Sequence, residues 1–318
     1  MKRFSSPQIL LCFFLFSALF STSVTAQEPA AVSKWTQNYE AAVKSAQEQK
    51  RPMILLFTAS SYVKICEILD RDVLYQTEFT DAVAPSFELV RLEFPRNDPQ
   101  DPKVKAQNLF LRQAYRIQGY PTLLVTDSEG RPFGMNGYQP VTAADYAKVM
   151  NSMLDTLKVR DSKFAEAEKA EGVKKAKLLA EGIPELPGNL LGRYYREQIE
   201  TVIANDPENT TGVVDAYQRL LADVDYSKEM ETLAQDVQWT KMLKRTDQYI
   251  SDHNLEGVEK QRALMNKVGV YQQLKDLPSS VKILIEIVNI NPETDPGKMA
   301  AKSLDRIRAQ KLEADLAK

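Results

Sequence analysis

Cysteine and histidine are almost absent from this chain of 318 residues, which holds two cysteines, Cys12 and Cys66, and a single histidine, His253. His253 lies in a polar Ser-Asp-His-Asn stretch. A Ser-His-Asp or Cys-His catalytic unit and a histidine-rich metal site therefore both lack parts, and His253 reads as a solvated loop residue. No block of Lys or Arg occurs, so the basic footprint required by nucleic acid or an anionic membrane is missing. No Gly-rich phosphate loop follows any predicted strand, and no cofactor is indicated. Glu93, Asp98 and Asp101 form an acidic group without calcium-loop spacing and read as part of a solvated loop, so no metal site is expected. Trp239 and the Tyr194-Tyr195 pair fall in helical patterns and read as core.

One apolar run is present, from Ile9 to Phe20, and it is shorter than the roughly 20 residues that span a bilayer. Lys2 and Arg3 precede it, and Val24-Thr25-Ala26 follows, ahead of Gln27, Glu28 and Pro29. That order predicts a secretory signal peptide over residues 1–26, a retained anchor being the alternative. The expected location is exported, periplasmic or secreted, in a bacterium, with no stable membrane insertion after cleavage. Losing Lys2 and Arg3 takes the formal net charge from −2 to −4. About 290 residues remain, enough for two domains. Cys66 is then the only thiol, so no intramolecular disulfide can form in a compartment where disulfides are permitted.

The segment from Ser33 to Asn151 alternates between helical and strand patterns. Ser33 is placed to cap a helix through Trp35, Tyr39, Ala42, Val43 and Ala46. Met53 to Phe57 is a continuous apolar run, as in a strand buried on both faces. A helix is expected from about Ser61 to Leu74, a strand from Phe87 to Phe94, and a polar loop from Pro95 to Pro102. A helix from Val104 to Tyr115 follows, then a strand from Thr122 to Val125. A turn at Ser128-Glu129-Gly130 leads into Arg131 to Tyr138, and a helix from Thr142 to Leu157 ends the unit. This βαβ order followed by a hairpin and a helix predicts a mixed central sheet flanked by helices. Beyond Arg160 the pattern is helical, interrupted at 183–188, 205–212 and 291–297. The breaks at Asn205-Asp-Pro207-Glu208 and Asn291-Pro292-Glu293 resemble one another, each Pro being placed to start the next helix. The recurrence suggests stacked helical hairpins of tetratricopeptide length, with a plain helical bundle as the alternative.

The stretch Phe57-Thr-Ala-Ser-Ser-Tyr-Val-Lys-Ile-Cys66-Glu-Ile-Leu-Asp-Arg71-Asp-Val-Leu resembles the active-site stretch of the bacterial thioredoxin-like family. Gln107-Asn108, Tyr115-Arg-Ile-Gln-Gly-Tyr-Pro121-Thr122 and Asp127-Ser-Glu-Gly130 add to the likeness, which covers roughly residues 33 to 158. The resemblance implies an α/β thioredoxin-like domain at 27–158, followed by an all-α, tetratricopeptide-like domain at 159–318. In that family a Trp-Cys-x-x-Cys motif stands where the first strand turns into its helix. Tyr62 takes the Trp position here, Val63 the first Cys and Cys66 the second.

The resemblance also sets the expected chemistry. A thiol at the helix N-terminus is acidified by free N–H groups and the helix dipole, and it attacks the substrate disulfide. The second thiol, one turn on, resolves the mixed disulfide. Val63 supplies no nucleophile, so dithiol exchange is not expected, and the chain reads as a redox-inactive protein acting by protein or peptide binding. The enzymatic alternative is a monothiol protein using Cys66 for thiol–disulfide exchange or for peroxide or thiol sensing. The family's proline follows a cis bond beside the active-site helix, and Pro121 matches it. Tyr62, Val63, Ile65, Tyr120 and Pro121 are then the expected docking surface for a protein or peptide partner, ordinary loop packing being the alternative.

Overall fold

The computed structural model describes residues 34–316. The predicted signal peptide, with Cys12, and the expected cap Ser33 lie outside the described residues. Four strands, β1 (Met53–Thr58), β2 (Glu88–Glu93), β3 (Thr122–Thr126) and β4 (Pro132–Asn136), form one sheet in the order β2-β1-β3-β4. β1 runs parallel to β2 and antiparallel to β3, and β3 and β4 form an antiparallel hairpin. All six residues of β1 are buried. A central strand covered on both faces must be apolar along its whole length, which is why Met53 to Phe57 lacks alternation.

The first helix, α1, spans Tyr39–Gln49, and the side chain of Asn38 caps it by accepting the N–H of Ala41 at 3.0 Å. The helix expected from Ser33 thus begins later. Ahead of Asn38 the described chain is irregular instead, with Thr36 bridging Val90 in parallel and the buried Trp35 ring stacked on Phe79 at 6.4 Å. After β1 come α2 (Lys64–Leu69), a π-helical turn over Asp70–Leu74, and α3 (Thr77–Val83). The short α3 was not visible in the sequence pattern. It has no side-chain cap, and burial of Phe79, Thr80 and Val83 holds it in place. Next come α4 (Pro102–Ala114), capped by Asp101, and α5 (Ala143–Ala167), capped by Thr142.

One face of the sheet, carrying Ile54, Leu56, Leu123 and Val125, packs on Leu69, Leu74, Phe79 and Met150 from α2, the π turn, α3 and α5. The other, carrying Met53, Leu55, Phe57 and Leu124, packs on Ala42, Ala46 and Leu111 from α1 and α4. Helices therefore flank a mixed sheet as expected.

The rest of the described chain is helical: α6 (Gly172–Gly182), α7 (Gly188–Tyr194), α8 (Arg196–Asn205), α9 (Val214–Gln235), α10 (Trp239–Asp252), α11 (Gly257–Gln273), α12 (Leu277–Ile290) and α13 (Asp295–Leu316). From α10 onward each helix packs on its neighbour in the chain. No helix among the described residues is long and apolar enough to cross a membrane. Pro207 and Pro292 do not start helices. The carboxylate of the buried Asp206 accepts the N–H groups of Thr210 and Thr211, each at 2.8 Å, and this closed loop delays α9 to Val214. In the second break, Asn291 accepts the N–H of Glu293 and α13 starts only at Asp295. His253 lies in the turn just past α10, as a loop residue should, but it is only partly exposed, its ring 4.7 Å from that of Tyr249.

The helix α5 continues past residue 158 and carries Arg160 into the junction between sheet and helices, where it pairs with Asp127 at 2.8 Å. The buried Tyr195 donates its hydroxyl to the carbonyl of Pro132 at 2.7 Å, and Tyr194 stacks on Tyr115 at 5.7 Å. Tyr115 in turn donates to the carbonyl of Gly130, which sits at φ +80 where a Cβ would press on the Tyr115 and Tyr39 hydroxyls. Both tyrosines are packing residues, and Trp239 packs in the helical core.

Candidate functional site

At the end of β1 the chain turns through Ala59, whose carbonyl accepts the N–H groups of Tyr62 and Val63. Val63 is extended at φ −105 and ψ 103 and takes the N-cap position of α2 with no side-chain hydrogen bond. Valine is a poor cap because it offers no acceptor to the free amides of the first turn. Cys66 is the third residue of α2 and has no solvent exposure. Burial pushes its thiol above the ordinary value, the charges of Asp70 and Glu93 add to this, and a hydrogen bond with the Ala59 backbone opposes it. The adjacent Glu67 turns outward to Lys64 at 3.0 Å.

The carboxylates that act on the sulfur belong to a network the sequence reading missed. Arg91, buried on β2, donates to both oxygens of buried Asp70 at 2.9 and 2.7 Å and to Glu93 at 2.8 Å. Glu93 also accepts from the N–H and hydroxyl of Ser60 at 2.8 and 3.0 Å, which ties the loop before α2 to β2. An arginine within Leu89-Val-Arg-Leu92 was the available signal, since a charge on a buried strand requires a partner. Glu93 is thus committed to this network, Asp98 is exposed and Asp101 caps α4, so the acidic group of the sequence is dispersed. Among the described residues no cluster of His, Cys, Asp or Glu is arranged to hold a metal ion.

The Tyr120-Pro121 bond is cis. Tyr120 is half-buried, its ring stacked on Phe94 at 5.0 Å, and Phe94 stacks in turn on Phe57 at 6.4 Å. Arg112 of α4 donates to the Tyr120 hydroxyl at 3.2 Å and lies over the Phe94 ring. Burial raises the pKa of Tyr120, and Tyr62 and Cys66 are among the groups whose charges bear on it. Tyr62 is 42% exposed, with the Arg96 guanidinium 4.4 Å from its ring centre. Val63, Ile65 and Pro121 are half-buried. The structure thus gives α2 a partly apolar N-terminus, a sealed sulfur one turn deeper, and an aromatic stack leading to the proline loop.

A strand leading into a helix that carries a cysteine, a cis-proline loop ahead of β3, and the β2-β1-β3-β4 sheet define a thioredoxin-type domain. The family model described as thioredoxin-like matches residues 34–128. The disulfide bond reductase DsbH of Chlamydia pneumoniae is 26% identical over 125 residues, 39% of this chain and 75% of DsbH. The thioredoxin-related protein DsbJ of the same organism is 27% identical over 132 residues, 41% of this chain and 38% of DsbJ, so the chain spans well under half of that relative. Among solved structures, a DsbH oxidoreductase is 26% identical with a TM-score of 0.37, over 38% of this chain and 83% of its own. A disulphide isomerase from Xylella fastidiosa Temecula1 is 21% identical with a TM-score of 0.29, over 42% of this chain and 99% of its own. Residues 34–128 thus form a thioredoxin-like domain, similar to these bacterial proteins, and a largely helical C-terminal region follows it.

Proposed function

We propose that this chain is an exported, redox-inactive member of its family, in which a thioredoxin-like domain at 27–158 and a helical domain at 159–318 bind a protein or peptide partner. The observation that carries this reading is the pairing of Val63 at the helix cap with a Cys66 that has no solvent exposure. The position that the family resemblance sets against substrate has no sulfur, and the Cys66 sulfur is sealed, with burial pushing its thiol up and away from the reactive thiolate. Tyr62, Val63, Ile65, Tyr120 and Pro121 form the docking surface in this reading, since they are the partly exposed residues at the helix start and proline loop.

A fitting probe is insulin B chain with its cysteines carbamidomethylated, which offers an unfolded polypeptide without a disulfide. Val63→Asp or Tyr120→Ala is expected to weaken its binding by roughly tenfold or more, and Cys66→Ala is expected to leave it intact. Equal binding by all variants would contradict the docking surface.

The printed name of DsbH, a disulfide bond reductase, favours a second reading in which Cys66 acts as a monothiol. That reading requires insulin disulfide reduction that disappears on Cys66→Ser. No reduction above buffer is expected.

A further inference from the structure

A cleft of about 1710 Å³ lies between α4 with its following turn, α7 and α9. Pockets that enclose small ligands measure roughly 300–1,000 Å³, so this one suits an extended chain segment. Its walls are fixed by packing. Gly192 of α7 sits so close to Val224 of α9 that a Cβ there would stand 2.6 Å from the valine methyl, and Arg116, in the turn after α4 with φ 52, pairs with Glu231 on α9.

The charge of this cleft runs against that of the chain. The whole protein carries a formal charge of −2, yet six cationic and three acidic side chains line the cleft. Each of the three acids is already engaged: Glu231 by Arg116, Asp225 by Arg196, and Asp223 by the Tyr249 hydroxyl. Arg219 is held by Glu259 at 2.5 Å. Arg112, Arg193 and Lys228 have no carboxylate partner among the described residues, and all three are exposed to the cleft. Three uncompensated cations along one wall-to-wall cleft create a local positive potential that an otherwise acidic protein does not otherwise offer.

We propose that this cleft is a second binding surface, and that its occupant is an extended acidic peptide segment of a partner protein, its carboxylates meeting Arg193, Lys228 and Arg112. Carboxylates suit the planar arginine forks, which pair with them in bidentate geometry. The carboxylates already lining the cleft, spaced between the cations, oppose a continuous phosphodiester backbone but not a peptide whose charges are separated by neutral residues. Arg112 also holds the Tyr120 hydroxyl, so the cleft begins where the docking surface at Tyr120 ends.

The test is fluorescence anisotropy with the full chain and a labelled peptide of alternating Glu and Ser, beside its Gln-Ser counterpart. The Glu peptide is expected to bind, the Gln peptide to bind roughly tenfold or more weakly, and added salt to weaken the Glu peptide alone. Arg193→Glu with Lys228→Glu breaks no ion pair among the described residues and is expected to abolish binding of the Glu peptide and to confer binding of a Lys-Ser peptide. Because the probe has no apolar residue, its binding does not draw on the apolar docking surface, so capture of the Glu peptide beside loss of carbamidomethylated insulin B chain, or the reverse, separates failure here from failure of that surface. Equal affinity for Glu and Gln peptides, retention of the Glu peptide by the double variant, or tighter binding of a single-stranded oligonucleotide would overturn the proposal.

Discussion

The backbone N–H of Cys66 donates to the carbonyl of Val63 at 2.9 Å, so the two residues stand one helical turn apart, the valine at the cap and the sulfur in the core. Residues three apart on a helix have Cα atoms roughly 5 Å apart, inside the range of about 4.4–6.8 Å that a disulfide bridges. Val63→Cys is therefore expected to form an intramolecular disulfide with Cys66 and to gain insulin-reducing turnover, measured against the unaltered chain in the same dithiothreitol assay. A Val63→Cys protein that oxidises only between molecules would show that the turn no longer has the required geometry.

Arg91 neutralises two carboxylates at once. Arg91→Met leaves Asp70 and Glu93 without their cation in a buried site, and breaking such a network by removing one partner costs about 3–5 kcal/mol. Urea denaturation is expected to show that loss as a lower midpoint with an unchanged slope. A loss under 1 kcal/mol would mean that water enters the network freely.

Tyr195→Phe removes the buried hydroxyl that joins α7 and α8 to the Pro132 carbonyl and takes one hydrogen bond from that carbonyl at the junction. The expected cost is about 0.5–1.5 kcal/mol in the same denaturation experiment, the net worth of one buried hydrogen bond. No change would show that the junction does not contribute to folding.

Much of the thioredoxin-like domain was legible because its signals are local. Met53 to Phe57 is apolar throughout, Thr142 caps α5, and Gly130 marks the hairpin, each a property of a few neighbouring residues. The breaks near 183, 205 and 291 were also visible from Pro and Gly. What escaped depends on residues far apart in sequence. The Arg91 network joins positions 60, 70, 91 and 93, and the cationic cleft assembles Arg112, Arg193 and Lys228 from three separate helices. The helix α3 escaped because Phe79 is stabilised by Trp35 and Tyr146 and not by its own propensity. The helix expected from Ser33 starts only at Tyr39, because burial of Trp35 and the bridge of Thr36 to Val90 commit the residues before Asn38 to the core and sheet edge.

Asp206 makes the loop before α9 sensitive to acid. Its hydrogen bonds from Thr211 and Thr210 hold its carboxyl below the ordinary value. A lowered folded pKa contributes stability that is present above the unfolded value and lost as pH falls through the folded one. Asp206→Asn is expected to lower the melting temperature near neutral pH and to reduce its decline between about pH 5 and pH 2, followed by circular dichroism. An unchanged acid limb would assign that decline to other carboxylates.

The central claim is that the Cys66 thiol is sealed in the core while the cap position, proposed to face the partner, holds valine and no thiol. Its most direct test is the rate at which iodoacetamide modifies Cys66 in the folded protein near pH 7.5, followed by mass spectrometry of the Cys66 peptide. Burial raises this pKa, so the folded thiol stays protonated as pH rises through the free-cysteine value of about 8.5, and stability falls only above it. The account predicts labelling that is slow when folded and fast after denaturation in guanidinium. Labelling of the folded protein as fast as that of a free thiol would contradict it.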